Sequence, residues 1–118
     1  MMDIDSIVFD SNGLIPCIVQ DYESKRVLML AYMNKESIQL SIEKKLACFW
    51  SRSRKCLWTK GETSGNYLHI IEMTTDCDND TILIKVKKDG PACHKGTDSC
   101  FDSGVKDRKS VVWERVLW

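Results

Sequence analysis

The sequence predicts an α+β domain that is mainly β, on three observations. Apolar segments at residues 14–20 and 26–33 flank the polar stretch 21–25, the pattern of a β-hairpin. Residues 81–88 alternate with a period of two, placing Ile82, Ile84 and Val86 on one face and Leu83, Lys85 and Lys87 on the other. Only one segment, residues 35–45, carries the signals of a helix.

The hairpin strands are rich in β-branched and large apolar residues, and the five residues between them suit a turn. Asn34 is placed to cap the helix, with Glu36 in the first turn and Lys44 and Lys45 in the last, where each complements the helix dipole. Ile38, Ile42 and Leu46 form an i, i+4 stripe expected to face the core. Further strands are expected at residues 47–51, 67–74 and 110–117. Two long turn-rich segments, 51–66 and 89–109, remain between elements. Irregular segments of that length in a small domain are commonly functional.

A chain of 118 residues is most simply one domain, residues 1–118. Lys+Arg and Asp+Glu both number 17, so no net charge draws the chain to nucleic acid or an anionic membrane. No apolar run reaches the ~18–20 residues of a membrane span. The start, MMDIDSIVFD, lacks the basic and apolar regions of a signal peptide, so a cytoplasmic protein is expected. In a reducing compartment six cysteines do not imply disulfides. Cys17 and Cys48 sit in apolar stretches and are expected in the core, and His69, in the apolar run 67–71, is expected to be a packed strand residue. Cys56 suggests no role.

Cys77, Cys93 and Cys100 sit instead in polar, turn-rich surroundings, and Asp76, Asp78 and Asp80 interleave with the first of them. Thiolates suit zinc and clustered carboxylates suit magnesium or calcium. If the three cysteines share one zinc, a fourth position stays open, as in catalytic sites. An EF-hand is excluded, because Thr81 stands where glycine is needed and Lys87 where a bidentate glutamate is needed. No Cys-x-x-Cys exists to build a zinc finger, and the His-x-Glu…Pro-Cys-x-x-Cys pattern of nucleobase deaminases is absent. Upstream, Trp50, Arg52 and Arg54 would share a face of an extended strand, setting two guanidiniums side by side for a phosphate. A solvated basic strand is the plainer alternative.

Four blocks then carry a resemblance over nearly the whole chain. They are LMLAYMN (28–34), WSRSRKCLWTKGETSGN (50–66), DCDND (76–80) and GPACHKGTDSCF (90–101), and together they resemble phosphoribosyl-AMP cyclohydrolase, an enzyme family of histidine biosynthesis. The resemblance implies a mixed sheet curled into a small barrel-like domain with one or two helices, assembled as a homodimer. It implies the monofunctional form, without the pyrophosphohydrolase domain that some relatives carry. Lys95 departs from the small polar residue expected after His94 and alters the charge near the site.

The family's reaction is hydrolysis of the N1–C6 bond of an adenine ring alkylated at N1 by a second phosphoribosyl group. The resemblance implies that Cys93 and Cys100 of one subunit and Cys77 of the other hold zinc. It also implies that Asp76, Asp78 and Asp80 hold magnesium. His94, beside a zinc ligand, is the candidate for moving the proton. Arg52, Arg54, Lys60 and Ser64 are the candidate phosphate contacts. A structural-zinc module without catalysis is the alternative, in which removing metal unfolds the domain and no nucleotide turns over.

Overall fold

The computed structural model describes residues 3–93, 96–102, 109–111 and 113. β1 (Ile15–Asp21) and β2 (Val27–Met33) pair antiparallel, from Ile15 opposite Met33 to Gln20 opposite Val27, as the hairpin pattern predicts. Asp21 organises the turn: its carboxylate accepts from Ser24 N at 2.8 Å, and its backbone N–H donates to Arg26 O at 2.8 Å. Lys25 takes the left-handed conformation that closes it, with φ 66°.

Helix α1 (Lys35–Lys44) begins at Asn34, whose side chain accepts from Ser37 N while Ser37 Oγ accepts from Asn34 N, both at 2.8 Å. This reciprocal cap satisfies two amides that a helix start otherwise leaves exposed. The expected stripe is only partly buried. Ile38 is in the core, but Ile42 is 48% exposed, and the inward face is Ser37, Ile38 and Ser41. The cause is polar: Ser41 Oγ accepts from Cys48 N at 3.0 Å and donates to Cys48 O at 3.1 Å, rotating the helix toward its serine side.

β3 (Cys48–Ser51) pairs antiparallel with β4 (Cys56–Thr59), a strand not expected from the sequence. Four residues between polar turns carry too little alternation to stand out from a loop. Lys55 N donates to Ser51 O at 2.8 Å and Lys55 has φ 52°, so residues 52–55 form a tight turn. Trp50, Arg52 and Arg54 therefore do not share one extended face.

β5 (Leu68–Thr75) and β6 (Ile82–Lys88) form the second long antiparallel pair. β6 also pairs in parallel with β1, from Cys17 opposite Ile82 to Asp21 opposite Val86. The result is one six-stranded mixed sheet, ordered β4-β3-β2-β1-β6-β5 and curled into a half-barrel. Its concave core holds Ile15, Cys17 and Val19 of β1, Leu28 and Met33 of β2, and Ile82, Ile84 and Val86 of β6. Ile38, Phe49 and Leu68 close it. Cys17 and Cys48 are buried as expected, and burial pushes the Cys17 thiol well up.

His69 corrects its expectation. Leu68 points inward, so alternation turns His69 outward, where its Nε2 lies 3.0 Å from both Asp89 carboxylate oxygens. Among the described residues no helix is long and apolar enough to cross a membrane. The strand expected at 110–117 lies mostly outside the described residues. The Ser41 bridge is testable. Ser41→Ala leaves a buried N–H and C=O of Cys48 without a partner, and urea unfolding should report a loss of about 1–3 kcal/mol. A loss below about 0.5 kcal/mol would show that the bridge carries no weight.

Candidate active site

Past β6 the chain folds back on itself and docks onto the first hairpin. Ala92 N donates to Asp98 O at 3.2 Å and Cys93 N to Thr97 O at 3.1 Å. Cys100 N then donates to Leu28 O at 2.8 Å. Ser99 is completely buried: its hydroxyl donates to Val27 O at 2.8 Å and accepts from Phe101 N at 3.0 Å. Around this anchor Arg26 pairs with Asp102 and, at 3.7 Å, with Asp98, while Lys88 reaches Asp98 at 3.2 Å.

This docking brings two predicted ligands together. Cys93 is 5% exposed, and its side chain hydrogen-bonds that of Cys100. Burial, then the Cys93 hydrogen bond and charge, push the Cys100 thiol up to about 11, against a smaller downward pull from Lys60. Two thiols in contact, one buried and one half-buried, are a soft donor pair suited to zinc. His94 lies outside the described residues.

The segment after β4 forms the facing wall. Lys60 N donates to Ala47 O at 3.0 Å and Gly65 N to Gly61 O at 2.7 Å. Gly61 has φ 97°, and a Cβ there would stand 2.5 Å from Tyr67 N, so only glycine fits the bend. Asn66 packs its side chain on Gly90, where a Cβ would meet its Oδ1 at 2.5 Å. The two loops thus enclose a cleft of about 410 Å³, lined by Arg54, Lys60, Ser64, Asn66, Pro91 and Cys93. Three of the four expected phosphate contacts therefore meet a thiol ligand. Arg52 does not join them; its guanidinium lies over the Tyr32 ring, 3.9 Å from the centroid, beside a neighbouring groove.

Asp76, Asp78 and Asp80 bring their carboxylate oxygens within 4.8 Å of one another, but not by strand alternation. They sit in the turn between β5 and β6, where Asn79 is left-handed at φ 62°. The Asp76 carboxylate accepts from Asp80 N at 3.1 Å and Thr81 N at 3.2 Å, and Val8 N secures the turn by donating to Asn79 O at 2.8 Å. Desolvation works to raise the Asp76 carboxyl, but the Asp80 amide, hydrogen bonds with the Asp78 and Asp80 side chains and the Thr81 amide together outweigh it and hold it low. Asp78 goes the other way, raised by its hydrogen bond with Asp80, desolvation and the two neighbouring carboxylates. Three converging oxygens fit a hard cation such as magnesium.

Cys77 is exposed in the same turn. Among the described residues the three aspartates are the only group of three such side chains whose ligand atoms converge, so Cys77 does not meet Cys93 and Cys100 within one chain. Topology explains the separation. The acidic turn precedes β6 and the thiol loop follows it, and the seven residues of β6 hold them apart by roughly 20 Å.

Arg26, Asp98, Ser99 and Asp102 were not singled out by the sequence. Ser99 adjoins a candidate ligand, which is a weak signal, and its partners on β2 are contacts that sequence distance hides. The hydrogen bond from Arg26 holds the Asp102 carboxyl below its ordinary range, outweighing desolvation, and the Ser99 and Asp98 amides add to the effect. A lowered folded-state pKa gives stability that is present above the unfolded value, about 3.9. That stability is lost as pH falls through the lower folded value. Thermal melts between about pH 5 and pH 3 should therefore show a steeper fall for wild type than for Arg26→Ala. Equal falls would show that the pair is not coupled to folding.

Comparison with known proteins identifies the family. The family model described as phosphoribosyl-AMP cyclohydrolase matches residues 29–102, from β2 through the thiol loop. A protein of that name from Chlorobium chlorochromatii (strain CaD3) is 59% identical over 98 residues, covering 83% of this chain and 72% of the relative. One from Chloroherpeton thalassium is 54% identical over 109 residues, 92% of this chain and 78% of the relative. Another, from Chlorobaculum tepidum, is 52% identical over 108 residues, 92% and 79% of the two chains. A cleft lined by Arg54, Lys60 and Cys93, within a match that spans most of both partners, leads to one conclusion: this chain belongs to the phosphoribosyl-AMP cyclohydrolase family.

Proposed function

We propose that the chain hydrolyses the N1–C6 bond of the adenine ring in phosphoribosyl-AMP, the ring-opening step of histidine biosynthesis, as a zinc- and magnesium-dependent homodimer. The observation that carries this is the meeting of Cys93 and Cys100 beside a cleft walled by Arg54, Lys60 and Ser64. Cations and a hydroxyl bind ribose phosphates, and the thiol pair lies where the reacting carbon can approach. Water adds to C6, the C6–N1 bond breaks, and the water oxygen becomes that of a carboxamide. N1 leaves with its phosphoribosyl arm and takes up a proton, which His94, adjoining Cys93, is assigned to deliver. Zinc bound by the thiolates would supply acidified water, its pKa lowered from about 15.7 to near 7.

Two thiols make an incomplete zinc site, and Cys77 is exposed at the far end of β6. A second copy would supply it. The partner's acidic turn would arrive with it, since Asp76 and Asp78 flank Cys77, and would offer its three carboxylates to magnesium near the substrate phosphates. Thiolate ligation requires reduced cysteines, a condition that a cytoplasmic setting meets.

Absorbance of phosphoribosyl-AMP should change on adding the enzyme and stop changing with a chelator. Cys93→Ala should lose both turnover and bound zinc; a zinc-free, fully active variant would refute the assignment. Sharing of the site is tested by mixing inactive Cys77→Ala with inactive Cys93→Ala. Each mixed dimer would contain one intact site, so random pairing should restore about a quarter of wild-type activity. A mixture that exchanges subunits yet stays inactive would refute sharing of the site between subunits.

A further inference from the structure

Beside the Cys93 cleft lies a second groove of about 590 Å³, and the two share Arg54 and Trp58 as a common wall. Tyr32 and Trp50 supply its aromatic side, while Ser51, Arg52 and Ser53 supply a polar end at the β3–β4 turn. Arg52 is held there by its stacking on Tyr32 rather than by an acid. Among the described residues the ion pairs engage Arg26, His69, Lys85 and Lys88, and none engages Arg52, Arg54 or Lys60. Three cations with no ion-pair partner among the described residues thus gather around these two joined clefts, whose lining holds one acidic side chain, Glu62, an arrangement suited to a ligand with two separated anionic ends.

The substrate proposed above is such a ligand. One phosphoribosyl arm leaves the adenine from N1 and the other from N9, on opposite sides of the ring. C6 adjoins N1, so placing C6 at the thiols keeps the N1 arm in the same cleft, with Lys60 and Ser64. The N9 arm starts across the ring and points away. We propose that the substrate straddles both clefts, with its base against Trp58 and its N9-arm phosphate in the second groove on Arg52. Trp58 is suited to the base, because its ring is backed by Phe49 at a centroid distance of 5.1 Å and stacking tolerates any purine orientation. Arg54, on the shared wall, serves the junction. This assignment rests on the ring-opening reaction but goes beyond it, since it gives each arm its own cleft.

Arg52→Ala and Arg52→Gln are compared with wild type on three compounds: phosphoribosyl-AMP, the analogue lacking the N9-arm phosphate and the analogue lacking the N1-arm phosphate. On the full substrate both variants should raise KM about ten- to a hundredfold with little change in kcat. The penalty should vanish on the compound lacking the N9-arm phosphate and persist on the compound lacking the N1-arm phosphate. A penalty that survives removal of the N9-arm phosphate, one that vanishes only with the N1-arm phosphate, or none on the full substrate, overturns the assignment. Calorimetric titration with AMP and adenosine gives a readout independent of turnover. Arg52→Ala should weaken AMP and leave adenosine unchanged; equal AMP affinity overturns the proposal. If wild type opens no ring, the reaction reading fails, and the AMP titration still decides the groove.

Discussion

The parallel pairing of β1 with β6 at the middle of the sheet is the constraint on which the rest depends. It fixes the direction of β6, and β6 separates the two ligand-bearing segments. The acidic turn lies at its start, next to the Ile15 end of β1, and the thiol loop leaves its end, next to Asp21. Antiparallel β2 begins at that same end, so the carbonyls of Val27 and Leu28 are in place to receive Ser99 and Cys100. Reversing β6 would exchange the two segments and leave the loop with nothing to dock on.

Different interactions hold the loop with different strength. The Arg26–Asp98 pair is half open to solvent and the Lys88–Asp98 pair partly so, and screening leaves such pairs weak. Ser99 is buried and its hydroxyl serves three backbone groups, so losing it would strand groups that cannot find water. The loop's position therefore rests mainly on that hydroxyl and on Cys100 N, with the charges setting its outer edge. Burial has a cost at the thiols. With the Cys93 hydrogen bond and charge added, it raises Cys100 to about 11, so forming the thiolate there requires a compensating positive charge.

Glycine decides how closely the walls approach. Gly61 turns in a conformation barred to other residues, and Gly90 leaves room for the Asn66 side chain. The Gly90 contact binds the segment after β4 to the one after β6, which are far apart in sequence, while the Gly61 bend folds the first segment back onto its own Tyr67. The cleft between them exists because two loops without regular structure are each tied by backbone hydrogen bonds.

The long elements and the donor chemistry follow from local residue pattern alone. Alternation in 81–88 and the apolar flanks of 21–25 are local patterns, and a sheet must honour them because each strand buries one face. Ligand types are likewise carried by the residues themselves. The remaining features depend on contacts between distant segments. Ser41 turned the helix away from Ile42, a short β4 formed because β3 offered it an edge, and the three aspartates converged through a left-handed Asn79 rather than along a strand. Strand order decided most. It joined Cys93 to Cys100 and kept Cys77 a strand's length away, since the geometry of a mixed sheet is set by pairing that no single segment encodes.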